Sequence, residues 1–185
     1  MVIFFTASLR AKTEHSPLTQ GTWSDGTPWS FYVYDQELDD DKITAVFCIV
    51  TFESKVAVIK HKQRGWEIPG GHREDFESPL EAIRREIREE TGLVIHNVKL
   101  FGHKEVKPLV RIPKRETGQF YPYPTSYVPY YHAQASEHLA DALGDDVESV
   151  ELLSYATARE RLQNSKQNHH VIIEHLLKVG AIELA

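Results

Sequence analysis

The sequence predicts an α/β fold in which a mixed β-sheet lies between helices. The chain has 185 residues and 41% hydrophobic content, which suits one well-packed domain. Strand and helix patterns are mixed along it without regular strand-helix-strand alternation, and no internal repeat or low-complexity tract is visible. Regular alternation would indicate a parallel sheet, so the irregular order favours a mixed one.

The first 42 residues are expected to form an extension that belongs to the same structural unit. The segment TWSDGTPWSFYVYD has an Asp25-Gly26 turn signal between aromatic and β-branched residues, which predicts a hairpin. Trp23 and Trp29 are expected to pair across its turn. An acidic run at residues 39–41 then marks the connection to the main domain, residues 43–185.

Further strands and helices follow along the main domain. The segments ITAVFCIVTF and KVAVIKH predict two strands, and a Gly/Pro loop and a long helical pattern come next. Strands are expected near residues 94–104, 127–135 and 147–153, and short helices near 157–162 and 170–179. The stretch FYPYPTSYVPYY has too many prolines for a central strand throughout, so it is expected to line a binding pocket or cover a sheet edge.

Charge and cysteine content exclude several classes of protein. The chain carries 21 basic and 27 acidic residues, a net charge of -6, which disfavours nonspecific binding to nucleic acid or anionic membranes. The single cysteine, Cys48, lies in the apolar run AVFCIV and is expected to pack in the core. No run reaches the roughly 20 apolar residues that a membrane helix needs. We therefore expect a cytoplasmic protein with no membrane or nucleic-acid partner, and leave its oligomeric state open.

The long helical pattern has clear start and stop signals. Ser78 followed by Glu81 fits a capping box, and Pro79 falls at the first helical position. Gly92 supplies a C-terminal stop. The helix is therefore expected to begin at residue 79 and end before residue 92.

Two neighbouring stripes run along this helix. At 100° per residue, an apolar arc holds Leu80, Ile83 and Ile87, and the adjacent arc holds three carboxylates, Glu86, Glu89 and Glu90. Arg85 is spaced to pair with Glu89, whereas Arg84 and Arg88 point away, so most of this negative charge is expected to be uncompensated by the helix itself. Taken alone, the stripe also fits a solvated helix face.

A longer motif surrounds the carboxylates. It reads Gly71, five residues, Glu77, seven residues, Arg85-Glu86-Ile87, one residue, Glu89-Glu90, one residue, Gly92-Leu93. This pattern resembles the Nudix box at nine specified positions over 23 residues. Upstream, RGWEIPGGHRE is similar to the WEFPGGKxE stretch of MutT-like members of the family. The chain thus resembles the group of members that are similar to 8-oxo-dGTP diphosphatases. Family members often have glycine at the position of Phe76 and lysine at the position of His72. Neither difference removes a carboxylate of the motif.

The resemblance implies a Nudix-type α/β/α sandwich and a Mg²⁺-dependent hydrolase that attacks phosphorus with water. Its substrate would be a nucleoside diphosphate linked to another group. Hard Mg²⁺ prefers oxygen ligands, and Mn²⁺ is an alternative. Carried over by position, the metal ligands would be Glu86, Glu89, Glu90 and the carbonyl of Gly70. Glu86 is also a candidate base, Arg85 would orient the carboxylates, Glu77 would be an outer ligand or helper base, and Glu105 a further ligand or base.

Substrate contacts and substrate identity are less specified. Trp66 is expected either to stack on a nucleobase or to pack, and Arg111 in the basic loop RIPKR either grips polyphosphate or is solvated. The WEIPGG stretch favours a purine nucleoside triphosphate, oxidised or not, cleaved to the monophosphate and pyrophosphate. Pro108, fifteen residues after the box, resembles the placement in ADP-ribose hydrolases, so ADP-ribose or a nucleotide sugar is the alternative. A non-catalytic nucleotide-binding module is the second alternative.

Overall fold

The computed structural model describes residues 16–33, 37–114, 119–138 and 143–180. The N-terminal 15 residues and Arg115 of the basic loop lie outside this part. The elements in chain order are β1 (Thr19–Thr22), β2 (Pro28–Tyr32), β3 (Ala45–Phe52), β4 (Lys55–His61), β5 (Gly65–Glu67), β6 (Gly70–His72), α1 (Pro79–Thr91), β7 (Leu93–Val106), β8 (Ser126–His138), β9 (Val147–Leu153), α2 (Tyr155–Leu162) and α3 (His169–Lys178).

The strands form one mixed sheet, as predicted. Its order is β1-β2-β7-β8-β3-β4-β5, with β6 paired to β3 and β9 paired to β4. The pairing of β3 with β8 is parallel, and the other strand pairs are antiparallel. Strand β3 pairs with β4 only at Thr51 and Phe52, and residues 45–47 pair with β6 instead. The sheet therefore splays between β3 and β4, and β6 enters the gap.

Helices cover both faces of the sheet, which confirms the predicted α/β/α layers. On one face, Ile83 and Ile87 of α1 pack with buried residues of β3 that include Cys48. On the other face, Ile172 and Ile173 of α3 pack with buried strand residues. Burying an isoleucine side chain contributes about 1.5–3 kcal/mol. Cys48 is fully buried, as expected, and burial raises the pKa of its thiol.

Helix α1 has the predicted ends but a different buried arc. Ser78 and Glu81 form the capping box, and Gly92 ends the helix in the left-handed conformation at φ 67°. Leu80, expected to be buried, is 47% exposed, whereas Glu90 is only 8% exposed. The reason is that β6 packs against the carboxylate side of the helix, so part of the arc expected to face solvent faces protein.

The N-terminal hairpin forms, but its two tryptophans do not pair. Strand β2 pairs with β7, so the hairpin extends the same sheet. The register places Trp29 opposite Gly21, and a Cβ on Gly21 would lie 2.5 Å from the Trp29 indole. The connection comprises residues 23–27, so Trp23 lies in the loop, where its Nε1 donates to Gln167 Oε1 at 3.4 Å.

The proline-rich stretch is a strand only in its second half, as predicted, and Tyr121 in its first half lines a cavity. Strand β8 begins at Ser126 and lies between β7 and β3. Pro129 is tolerated because the pairing with β3 is interrupted there: an isolated bridge joins Ile43 and Tyr127, and the continuous ladder starts at Tyr130. The missing N–H of Pro129 therefore falls in a gap of the ladder. Among the described helices, none combines the length and apolar character needed to cross a bilayer.

Candidate active site

Two consecutive glycines bring the backbone of β6 against helix α1. Gly70 has φ +147°, and a Cβ there would collide with the backbone carbonyl of Val46. A Cβ on Gly71 would lie 2.5 Å from Oε1 of Glu86 and 2.6 Å from its Cδ. Glycine at position 70 therefore lets β6 lie against β3, and glycine at position 71 leaves room for the Glu86 carboxylate beside β6.

Two of the three helical carboxylates are held in this contact. Glu90 Oε2 accepts the N–H of Gly70 at 2.7 Å, and burial raises the pKa of Glu90 to about 8 despite that hydrogen bond. The Glu86 side chain is 13% exposed. Burial raises the pKa of Glu86, and the neighbouring Arg85 opposes the rise. Loss of hydration therefore disfavours the ionised forms of both carboxylates.

Arg85 connects the carboxylates, so the charge is better compensated than predicted. Its Nε and Nη2 donate to the two oxygens of Glu77 at 2.9 and 3.0 Å. Its Nη1 donates to Glu86 at 3.1 Å and to Glu89 at 3.0 Å, and Nη2 also donates to the carbonyl of His72 at 3.0 Å. The guanidinium holds the pKa of Glu77 below its usual range. Spacing alone indicated only the Glu89 pair, because Glu77 lies on the preceding loop.

The oxygen atoms of the carboxylates and of the Gly70 carbonyl suit a hard divalent cation. They are not arranged around one common metal position. The side chains of Glu86 and Glu90 meet at Gly70 and Gly71, and all of these groups offer oxygen, the ligand atom that Mg²⁺ prefers. Glu89 is 54% exposed in its side chain and pairs with Arg85. No group of three His, Cys, Asp or Glu side chains is arranged to hold a metal across residues 16–33, 37–114, 119–138 and 143–180. The ligand assignment therefore stays a prediction, and it requires Glu89 to turn from Arg85.

A cavity of about 290 Å³ begins at the same two glycines. Its walls are mostly apolar or aromatic, and its polar lining groups include Lys104 and Gln167. Its other lining residues include Gly70, Gly71, Phe47, Val106, Pro108 and Val128. A volume near 300 Å³ is at the small end of those that hold organic ligands. The cavity therefore offers a compact, largely apolar pocket next to the carboxylates.

Lys104 is the charged group buried in this cavity. It is 1% exposed, and Nζ donates to the carbonyl of Gln167 at 3.2 Å and to Gln167 Oε1. The ammonium lies 4.2 Å from the ring centre of Trp29 and 5.3 Å from that of Tyr130. Burial lowers the pKa of Lys104 well below its ordinary value. The motif did not point to Lys104, although it lies two residues before Val106 in a strand and so shares its inward face.

Three residues predicted for the site lie outside this cluster. Trp66 packs against the guanidinium of Arg161, with 4.9 Å between the ring centre and Cζ, and is not among the cavity residues. Arg111 is exposed, with its guanidinium 5.9 Å from the ring centre of Tyr123. Glu105 Oε1 lies 2.8 Å from Lys107 Nζ, and none of its described contacts joins the helical carboxylates. Their predicted roles therefore gain no support from these contacts.

His169, which follows the last loop, has a structural environment. It is fully buried, its Nδ1 accepts the N–H of Ile68 at 3.3 Å, and its Nε2 lies 3.3 Å from the hydroxyl of Tyr130. Burial lowers the pKa of His169 well below its ordinary value, so the neutral imidazole fits this setting.

Comparison with known proteins identifies one family over most of the chain. The family model described as the NUDIX domain matches residues 41–176. The curated relatives include a protein named putative 8-oxo-dGTP diphosphatase YtkD from Bacillus subtilis, 36% identical over 73 residues, which span 40% of this chain and 46% of that protein. They also include an RNA pyrophosphohydrolase of Xanthomonas campestris, 41% identical over 54 residues, 29% of this chain and 26% of that protein. The chain thus aligns with less than half the length of these relatives.

Solved structures share the fold. The Bacillus subtilis pyrophosphohydrolase BsRppH superposes with a TM-score of 0.66 at 23% identity, covering 89% of this chain and 99% of that one. A NUDIX hydrolase from Nitrosomonas europaea gives a TM-score of 0.54 at 19% identity, covering 75% of this chain and 90% of that one. At these identities the likeness establishes the arrangement of helices and sheet, and it confirms the predicted fold class.

Proposed function

Because the chain belongs to the Nudix hydrolase family, we propose that it hydrolyses a purine nucleoside triphosphate, oxidised or not, to the monophosphate and pyrophosphate with Mg²⁺. One curated relative is named a putative 8-oxo-dGTP diphosphatase and others RNA pyrophosphohydrolases, so nucleotide phosphoanhydrides are the common theme of the names. A net charge of -6 disfavours a long nucleic-acid substrate. The free nucleotide is therefore the preferred candidate.

The observation that carries this proposal is the shared pair of glycines. Gly70 and Gly71 line the cavity on one side and contact Glu90 and Glu86 on the other. A base held in the largely apolar cavity would leave its phosphates close to the carboxylates, without any movement of an element. Aromatic and aliphatic walls with a few polar groups are typical of sites that bind flat organic ligands.

The reaction assigns roles to residues of this cluster. Glu86, Glu89, Glu90 and the Gly70 carbonyl would hold Mg²⁺, which supplies positive charge to the phosphate oxygens. Arg85 keeps the carboxylates of Glu77 and Glu86 in place, and it would release Glu89 when that side chain turns to the metal. Water forms a bond to phosphorus, the bridging P–O bond breaks, and Glu86 accepts the proton. Glu105 is the alternative base, and its pairing with Lys107 makes it the weaker one.

ADP-ribose remains the second candidate because of Pro108. This residue lines the same cavity. Its position beside the base pocket fits a role in substrate choice, although a proline at a loop start also limits backbone freedom. A nucleotide sugar would place its second phosphate and sugar beyond the carboxylates.

A hydrolysis panel tests the proposal. The purified chain with Mg²⁺ would be given purine and pyrimidine triphosphates, oxidised purine triphosphates, ADP-ribose, nucleotide sugars and a 5′-triphosphorylated oligonucleotide, with products separated by anion exchange. We expect at least a tenfold higher kcat/KM for one purine triphosphate than for pyrimidine triphosphates, since an unpaired buried donor costs about 1–3 kcal/mol. Higher efficiency on ADP-ribose than on every triphosphate would favour the second candidate. Tight binding without any turnover would identify a binding module instead.

A further inference from the structure

We propose that Lys104 determines base specificity by donating a hydrogen bond to the carbonyl oxygen at C6 of a purine, so that the cavity selects 6-oxopurine over 6-aminopurine nucleotides. This inference rests on the proposed function, because it assigns the cavity to the base of the nucleotide. It goes further by naming the atom of the base that is read and the residue that reads it.

Lys104 is 1% exposed and lines the cavity, so its charged end is held away from bulk water. Within the described residues no carboxylate lies at ion-pair distance from it, and the nearby Glu67 is paired with Arg64 at 2.9 Å. An ammonium has three donors, and Gln167 accepts two hydrogen bonds from this one. A buried cation without a carboxylate is costly unless further acceptors surround it, so an acceptor atom of a ligand would be favourable here.

The surroundings of Lys104 favour a base over a phosphate as that acceptor. The aromatic rings of Trp29 and Tyr130 lie beside the ammonium, and Phe47, Val106 and Val128 line the cavity. Triphosphate oxygens are strongly hydrated, and this apolar wall would remove their water. The flat ring of a base would pack against this apolar wall. A carbonyl oxygen on the ring would need one hydrogen-bond donor.

The edges of the two purines differ at the position that a cation would read. Guanine presents acceptors at both O6 and N7, whereas adenine presents an amino donor at C6. A carbonyl oxygen facing Lys104 would stabilise the charged amine, whereas an amino group at C6 brings another donor and cannot do so. Sites built to bond one polar group reject an analogue lacking it far more strongly than apolar pockets reject a change in size. The chemistry therefore predicts a preference for any purine that carries the C6 carbonyl.

A comparison of four nucleoside triphosphates isolates the effect of the C6 carbonyl from that of the amino group at C2. GTP has both the carbonyl and the 2-amino group, ITP has only the carbonyl, 2-aminopurine riboside triphosphate has only the amino group at C2, and ATP has neither. For the wild type, kcat/KM is expected to be at least tenfold higher for GTP and ITP than for the other two. This comparison needs no variant, so it stands even where a substitution impairs folding.

The Lys104→Met variant tests the residue. Methionine keeps the unbranched shape and removes the donors. We expect kcat/KM for GTP and ITP to fall at least tenfold, while the value for ATP stays within threefold and the GTP:ATP ratio approaches one. Lys99→Met is the matched control, because Lys99 is an exposed lysine of the same strand, and it should leave the ratio unchanged. Thermal unfolding of each variant reports whether the fold is intact.

The outcomes distinguish this inference from the proposed function. Equal wild-type efficiency for GTP and ATP overturns the inference and leaves the proposed function standing. An equal loss for GTP and ATP in Lys104→Met also overturns it, because it shows a structural role. If no triphosphate is hydrolysed, the proposed function fails, and calorimetric binding of GMP, IMP and AMP to the wild type decides the inference. Binding of AMP as tight as that of GMP and IMP would then refute it.

Discussion

Replacing Gly71 with alanine is expected to inactivate the enzyme without introducing or removing a charge. A Cβ at this position would lie 2.5 Å from Oε1 and 2.6 Å from Oε2 of Glu86, where ordinary contact begins at 3.4 Å. The carboxylate must therefore move by about 0.9 Å or more. Because the obstructing atoms are at the end of a flexible side chain, the backbone of β6 has no need to move.

The sizes of the two effects follow from this displacement. Turning the Glu86 side chain away from its preferred rotamer costs about 0.5–1.5 kcal/mol. For a chain of this size, that lowers the melting temperature by roughly 1–6 °C. A catalytic group misplaced by about 1 Å lowers turnover on the order of 100-fold. Gly71→Ala should therefore remain folded and lose most of its activity.

The assay is a double-mutant cycle. Turnover of the best nucleotide and thermal unfolding are measured for Gly71→Ala, Glu86→Gln and the combined variant. If the alanine acts through Glu86, its effect should largely disappear once Glu86 is already disabled, because interacting sites are not additive. Gly144→Ala is the matched control, since its Cβ would lie no closer than 3.8 Å to its neighbours and should be tolerated.

Two results would refute this reasoning. Turnover of Gly71→Ala within threefold of the wild type would show that the position of the Glu86 carboxylate does not control the reaction. Fully additive losses in the combined variant would show that the alanine acts through another group.

Further predictions concern the carboxylates, the metal and the buried histidine. Glu89→Gln and Glu90→Gln should each lower turnover by orders of magnitude with the fold retained; near-normal turnover of either would disprove its role as a ligand. Activity should require Mg²⁺ or Mn²⁺ and rise toward alkaline pH, and turnover that persists in excess chelator would contradict this. Burial lowers the pKa of His169, so as the pH falls the unfolded chain takes up a proton at this histidine before the folded chain does. The free energy of unfolding should therefore decrease below about pH 6.5, by up to about 1.4 kcal/mol per pH unit. Urea unfolding from pH 7.5 to 5.5 measures this change. The free energy of unfolding should depend less on pH in His169→Asn than in the wild type, whereas the exposed His96→Gln should behave like the wild type. Equal pH dependence in His169→Asn and the wild type would contradict the role of His169.

Much of the fold could be predicted because its signals are local. Helix α1 begins and ends where Ser78, Pro79 and Gly92 predict, since caps and backbone preferences depend only on neighbouring residues. The strands of the central sheet also lie close to the predicted segments. Their order in the sheet was beyond prediction, because pairing joins segments distant in sequence. The tolerance of Pro129 in a central strand depends on a gap in pairing with β3, which no local pattern shows.

The sequence by itself determined the family resemblance, the helix, and the carboxylates that the helix carries, because the spacing of one motif contains that information. Only the tertiary structure decided which carboxylates are buried. Glu89 and Glu90 are adjacent in sequence, yet β6 packs against Glu90 while Glu89 remains exposed beside Arg85. Tertiary structure likewise brought Lys104 to Gln167, 63 residues away, at the wall of a cavity. Burial and pairing of this kind arise from contacts between elements that fold together, and these contacts set the charge and hydration of each group.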